Sequence, residues 1–222
     1  LRQARLSLDD LINSGTVPED IAPALRNIIN QRRSFLVVGG TGTGKTTLLS
    51  AMLTEVPADQ RIICIEDTAE LHPGHPSTIN LVSRQANVEG AGAVSMADLL
   101  KQSLRMRPDR IVVGEIRGAE VVDLLAAMNT GHDGGAGTIH ANSISEVPAR
   151  MEALAATGGL DRMALHSQLA AAVDIVLVMK HTPFGRRLAQ LGVLRGNPVA
   201  TQVVWDLDHG MHEGSEEVWF MP

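Results

Sequence analysis

The sequence predicts an α/β fold, a mostly parallel sheet covered by helices on both faces, and three observations carry that prediction. Short apolar runs recur at Ser34 to Val38, Arg61 to Ile65 and Arg110 to Val113. They lack the polar alternation of a strand with one wet face, so each is expected to be buried on both sides. Segments with helical spacing of apolar residues separate them, the rhythm of a parallel sheet. Finally, each run ends in residues that can do chemistry: a glycine loop, then Glu66-Asp67, then Glu115. Ligands in open parallel sheets sit at those carboxyl ends.

The elements follow in order. Ser7 is expected to cap a short helix over LDDLIN closed by Gly15. Pro18 to Gln31 reads as a second helix, with Ile21, Leu25, Ile28 and Ile29 on one face. After the first strand and its glycine loop, Thr46 to Glu55 has helical spacing of Leu48, Leu49, Met52 and Leu53. The strand over Arg61 to Ile65 is followed by another at Thr78 to Val82, and Asn87 to Val94 reads as a loop. Ser95 and Asp98 form a capping box for the helix MADLLKQSLRM, which Pro108 stops. Arg110 to Glu115 is a strand, Ala119 to Met128 a helix ending at Gly131, and Ala136 to His140 a strand. Ser143 with Glu146 reads as a second capping box, for a helix through Ala155. Asp161 caps the next helix, and Ala172 to Lys180 is a strand. Beyond Pro183, the runs RRLAQLGVL and ATQVVWDLD flank Arg195-Gly196-Asn197-Pro198, a hairpin signal.

Gly39-Gly40-Thr41-Gly42-Thr43-Gly44-Lys45-Thr46-Thr47 matches G-x-x-x-x-G-K-[ST] between strand and helix, the context a phosphate-binding loop needs. Backbone N–H groups of Gly40, Thr41, Gly42, Thr43, Gly44, Lys45, Thr46 and Thr47 are expected to wrap a phosphate, helped by the positive end of the helix. Lys45 would reach the β- and γ-phosphates, and the Thr46 hydroxyl would take one Mg²⁺ position. ATP with Mg²⁺ is therefore the expected ligand.

Hydrolysis needs oxygen ligands for the metal and an oriented water. Glu115, after Ile-Val-Val-Gly, is the first candidate for positioning that water or accepting its proton; an ordinary loop carboxylate is the alternative. Glu66 and Asp67 offer a second acidic strand end, or a solvated capping pair. His132 and His140 bracket a glycine-rich segment, and a histidine there can sense the γ-phosphate or serve as a structural donor. His72 and His75 flank Pro73-Gly74 without a third ligand at zinc spacing. Arginines 84, 105, 107, 110 and 117 cluster around the acidic elements; Arg84, Arg105 and Arg117 are the candidates for meeting phosphate charge, against the alternative of surface ion pairs.

Composition narrows the function. The net charge of −6 and the absence of Tyr, with aromatics at 2%, argue against direct nucleic-acid binding. Cys64 is the lone cysteine, so an internal disulfide is excluded. No apolar run approaches the ~20 residues of a membrane span. A cytoplasmic location is the expectation. Neither D-x-x-G nor [NT]-K-x-D is present, which disfavours a GTPase switch. A small-molecule phosphotransferase stays open on the glycine loop alone.

The ordered set GGTGTGKTT, RIICIEDTAEL, LRMRPDRIVVGEIRGAE and NTGHDGGAGTIHANS resembles the secretion ATPases of the type II/type IV superfamily. Within it the chain is most similar to the tight-adherence (Flp-type) pilus branch and its conjugation-related relatives. The four elements correspond to that family's Walker A, Asp box, Walker B and His box. The resemblance implies a RecA-like core over residues 34–182 and a C-terminal hairpin appendage over 183–222. Residues 1–33 would be a helical linker left from a larger N-terminal domain, in keeping with a chain that begins at Leu1. It further implies that Lys45 and Thr46 engage phosphates and Mg²⁺, that Glu66 helps place metal or water, that Glu115 is the catalytic glutamate, and that His140 senses the γ-phosphate. Members are typically homo-hexameric rings at the inner membrane, peripheral to it, that drive pilus assembly or secretion through platform proteins. A nucleic-acid translocase with a RecA-like core, and a fragment that only binds nucleotide or partners, are the alternatives.

Overall fold

A computed structural model describes residues 6–131 and 133–212. Nine strands form one sheet in the order β3-β2-β4-β5-β1-β6-β7-β8-β9. They are β1 (Phe35–Val38), β2 (Ile62–Glu66), β3 (Thr78–Val82), β4 (Arg110–Val113), β5 (Ala136–Ile139), β6 (Ile175–Thr182), β7 (Gly185–Arg195), β8 (Ala200–Asp206) and β9 (Gly210–Met211). From β3 through β6 the neighbours run parallel, and from β6 to β9 they turn antiparallel.

Side chains alternate across a strand, and the sheet divides its residues accordingly. Phe35 and Val37 of β1, with Ile62, Cys64, Val112 and Leu177, pack under α1 (Leu8–Asn13), α2 (Ala22–Asn30) and α3 (Lys45–Leu53). Leu36 and Val38, with Ile63, Ile65, Val113 and Val178, face the other way. That face is covered by α4 (Met96–Ser103), α5 (Glu120–Met128), α6 (Val147–Thr157) and α7 (Arg162–Ala172). The apolar runs are apolar throughout because both faces are dry, as expected of parallel strands.

The helix starts show where local chemistry wins. Ser7 and Asp10 form a capping box for α1, and Ser95 with Asp98 does the same for α4. Two expectations are corrected. The second helix starts at Ala22, not Pro18, because Pro23 can donate no bond to residue 19 and is tolerated only in a first turn. The Ser143/Glu146 box is also absent: a 3₁₀ turn, Ile144–Glu146, precedes α6, and Pro148 in the first turn of α6 bars an α-helix from starting at 144. Glu146 instead accepts from the Asn142 N–H at 2.8 Å.

The first helices and the last long strands of the described residues join the central core. Leu8, Leu25 and Ile29 share one cluster with Leu188, Leu191, Val204 and Trp205. The Trp205 indole donates to Asp20 at 2.9 Å, fastening β8 to the segment between α1 and α2. β7 and β8 pair antiparallel across the expected turn and simply extend the sheet beyond β6. Among the described residues, no helix is long and apolar enough to cross a membrane.

Candidate active site

The glycine loop leaves β1 and enters α3 at the carboxyl edge of the sheet. Gly39 has φ +154°, and a methyl group there would lie 2.4 Å from the Met179 carbonyl oxygen, so only glycine fits between loop and β6. Gly44, at φ +96°, is the N-cap of α3 and leaves the first amides of the helix free of side-chain capping. Thr43 Oγ1 donates to the Gly40 carbonyl at 2.9 Å and holds the loop's curve. Lys45 is 8% exposed, its ammonium donating to the carbonyls of Gly39 at 3.1 Å and Gly40 at 2.9 Å. Burial lowers the Lys45 pKa; the charge of Glu115 opposes that, Arg117 adds to it, and Glu70 opposes it in turn.

The two acidic strand ends stand side by side, because β2 and β4 are neighbours. Glu66 is 2% exposed. Its Oε1 accepts from the N–H groups of Glu70 at 3.0 Å and Leu71 at 2.9 Å, while Oε2 is buried without a hydrogen-bond partner. Burial raises the Glu66 pKa, against the two amide bonds that favour its charge. A methyl on Gly114 would stand 2.6 Å from Glu66 Cγ, so Gly114 is the gap through which this side chain fits.

Glu115 lies just beyond β4. Its Oε2 accepts from Arg117 Nη2, and its Oε1 sits against His140 Nε2 at salt-bridge range without hydrogen-bond alignment. Burial pushes the Glu115 carboxyl up, but the Arg117 hydrogen bond and charge, together with His140 and Lys45, hold it below its ordinary value. Arg117 Nη1 also donates to Asp67 at 2.9 Å, tying the two acidic ends together. His140 follows β5, so glycine loop, Glu115 and His140 leave strands that lie next to one another.

The remaining candidates divide. Arg84 and Arg117 line a cleft of about 420 Å³ with Asp67, Glu115 and Glu120. The Arg84 Nε–H donates to the Gly92 carbonyl at 2.8 Å. Arg105 is not with them. It lies on the 3₁₀ turn Leu104–Met106, whose Met106 carbonyl accepts from Arg61 ahead of β2, at the edge opposite the glycine loop. The sequence brought it close to the acids only because the chain then crosses the sheet in β4. Arg110 is also at that far edge, fully buried, donating to the Ile29 carbonyl at 2.7 Å and Gln60 at 3.0 Å. Burial first, and then Arg32, lower its pKa to about 10. His132 lies outside the described residues. His75 Nε2 donates to the Pro57 carbonyl, its Nδ1 accepting from Ser77, a structural arrangement.

One residue escaped the sequence reading. Glu70 Oε2 lies 3.4 Å from the Thr46 hydroxyl, in the turn that Glu66 organises. The signal was a third acid in Glu66-Asp67-Thr68-Ala69-Glu70. A hydroxyl and a carboxylate oxygen side by side at the start of α3 are the hard donors Mg²⁺ prefers, and the residues fit that ion. No three His, Cys, Asp or Glu among the described residues are grouped to hold a metal unaided.

Residues 1–202 match the family of type II/IV secretion system proteins. The chain is 58% identical over 216 residues to a Mycobacterium tuberculosis protein named for conjugal transfer, covering 96% of this chain and 61% of that one. It is 36% identical over 199 residues to the conjugal transfer protein TrbB of Rhizobium radiobacter, covering 88% and 59%. Against VirB11 of the Brucella suis type IV secretion system it is 33% identical over 209 residues, covering 91% and 51%. The chain therefore spans between half and two thirds of these relatives' lengths. Among solved structures, the Brucella suis VirB11 ATPase in complex with sulphate superposes with a TM-score of 0.70 at 31% identity, covering 84% of this chain and 56% of that one. The pilus retraction motor PilT with bound ADP gives 0.62 at 25% identity, covering 89% and 53%. With a parallel sheet ending in these four elements, and a match over most of its length, the chain belongs to the type II/IV secretion system protein family.

Proposed function

We propose that the chain is the ATP-hydrolysing part of a motor that powers secretion, conjugal transfer or pilus assembly at the cytoplasmic face of a bacterial inner membrane. In this reading it works as a homo-hexameric ring against membrane platform proteins, and the 1–33, 34–182 and 183–222 segments form one working unit. The observation that carries the proposal is the meeting of Lys45, Thr46 and Glu70 with Glu115 and His140 at one strand edge. Relatives solved in complex with sulphate and with bound ADP support the nucleotide reading.

The chemistry follows from the charges. Loop amides and the start of α3 bind the phosphates, and Lys45 exchanges its loop carbonyls for phosphate oxygens. Glu115, held ionised by Arg117, is able to orient a water and accept its proton. His140, which lies against Glu115, would report on the terminal phosphate. Thr46 and Glu70 would hold Mg²⁺, directly or through water, and the ion supplies charge neutralisation on the phosphates. Glu66 fixes the turn that presents Glu70.

Phosphate release from Mg-ATP by the purified chain, with no acceptor present, is the test. Lys45→Ala should weaken Mg-ATP binding by roughly tenfold to a hundredfold, the worth of a charged hydrogen bond. A chain that neither binds nor hydrolyses Mg-ATP, or a variant that binds it as the parent does, refutes the proposal.

A further inference from the structure

The sheet order fixes which way a nucleotide must lie, and the side left for the nucleoside carries a basic residue not yet accounted for. Glu115, His140 and Glu70 follow β4, β5 and β2, all on one side of β1. The chemistry at the terminal phosphate therefore belongs on that side. The opposite end of the same molecule has to leave toward β6 and β7, the neighbours on the other side of the loop.

There the β6–β7 turn rises against the glycine loop. A methyl on Gly44 would lie 3.3 Å from Arg186 Cδ and 3.5 Å from Met179 Cε. Across the antiparallel register Met179 pairs with Leu188 and His181 with Arg186, so these four share a face. Met179 and Leu188 belong to the cluster under α3, which puts His181 and Arg186 on the face where α3 begins. Thr182 Oγ1 braces the turn, donating to the Gly185 carbonyl at 2.9 Å and accepting from the Phe184 N–H at 3.2 Å. Among the described residues the Arg186 side chain is exposed and has no ion-pair partner. Phe184, at the tip, is 85% exposed, whereas Phe35 and Trp205 are buried.

Resting on the nucleotide reading above, we infer that the β6–β7 turn is the nucleoside half of the site, with Arg186 binding the α-phosphate and ribose end. The guanidinium stem packs on the loop while its planar head is free for oxygen acceptors, the geometry for which arginine is suited. Phe184 offers a flat apolar face beside it for the base.

The inference is tested by titrating Mg-ATP, Mg-ADP and Mg-pyrophosphate into the chain and its variants, with melting curves to establish folding. Arg186→Ala and Arg186→Gln should weaken ATP and ADP by the same factor, roughly tenfold, and leave pyrophosphate unchanged. Lys180→Ala, on the opposite face of β6, should change nothing. A loss confined to ATP would place Arg186 at the terminal phosphate, and a loss extending equally to pyrophosphate would make it a support for the loop; either result, or unchanged ATP binding, overturns the inference. Lys45→Ala separates the two levels of the argument: if it binds all three ligands normally, the nucleotide reading itself fails.

Discussion

Glu66 and Glu115 end neighbouring parallel strands, each after a buried apolar run, yet the fold treats them in opposite ways. Glu66 is enclosed, bonds two backbone amides through one oxygen and leaves the other without a partner. Glu115 has Arg117, His140 and Lys45 around it. Burial therefore dominates the first and raises its pKa, whereas cations overcome burial at the second and lower it. The same sequence pattern yields an enclosed, turn-holding acid in one place and a carboxyl surrounded by cations in the next.

The largest expected effect breaks this comparison at Glu115. Glu115→Gln should reduce phosphate release by about 10²–10⁴-fold, the range for loss of a general base, while nucleotide still binds. Normal turnover in that variant would remove Glu115 from the chemistry.

At Glu66 the expected effect is on folding. Glu66→Ala abandons two amide bonds and should cost about 1–3 kcal/mol for the buried Leu71 N–H left unpaired, and less for the part-buried Glu70 N–H. Glu66→Gln keeps an acceptor and should retain most of that stability in urea unfolding. The pH dependence carries the sign. A raised carboxyl binds its proton more tightly in the folded chain, so the Glu66 contribution is full below its ordinary 4.5 and is lost as pH climbs through the raised value. Glu115 works the other way: its contribution is present above 4.5 and fades as pH falls through the lowered value. Glu66→Gln should remove the decline on the alkaline side of 4.5 and leave the acid-side loss intact. An unchanged pH profile would mean that Glu66 is not the strained acid.

The smallest expected effect sharpens what Glu66 is for. If it presents Glu70 to the metal, Glu70→Gln should raise the Mg²⁺ concentration for half-maximal turnover by roughly tenfold, with stability nearly untouched. An identical Mg²⁺ requirement would leave Thr46 as the protein's metal contact without Glu70.

Much of this was legible along the chain. The glycine loop, the two acidic strand ends and His140 were visible because a parallel sheet lists its functional edge once per strand, each time after an apolar run. Capping boxes at Ser95 and Asp98 were visible because they are local. Arg105 was misplaced because closeness in sequence does not show which edge of the sheet a residue occupies. Glu70 was missed because its pairing with Thr46 closes between segments far apart in the chain. The helix starts near Pro23 and Pro148 moved because one backbone N–H outweighs a favourable pattern of apolar residues.

By itself the sequence determined the parallel α/β architecture, the glycine loop between strand and helix, and the family, since each rests on periodicity or on contiguous backbone and side-chain chemistry. Only the tertiary structure decided which carboxyl is pushed above its ordinary value and which is held below it, and which arginines stand near the loop. Those properties depend on dielectric and distance across strands and loops that meet in space, and neither quantity is written along the chain.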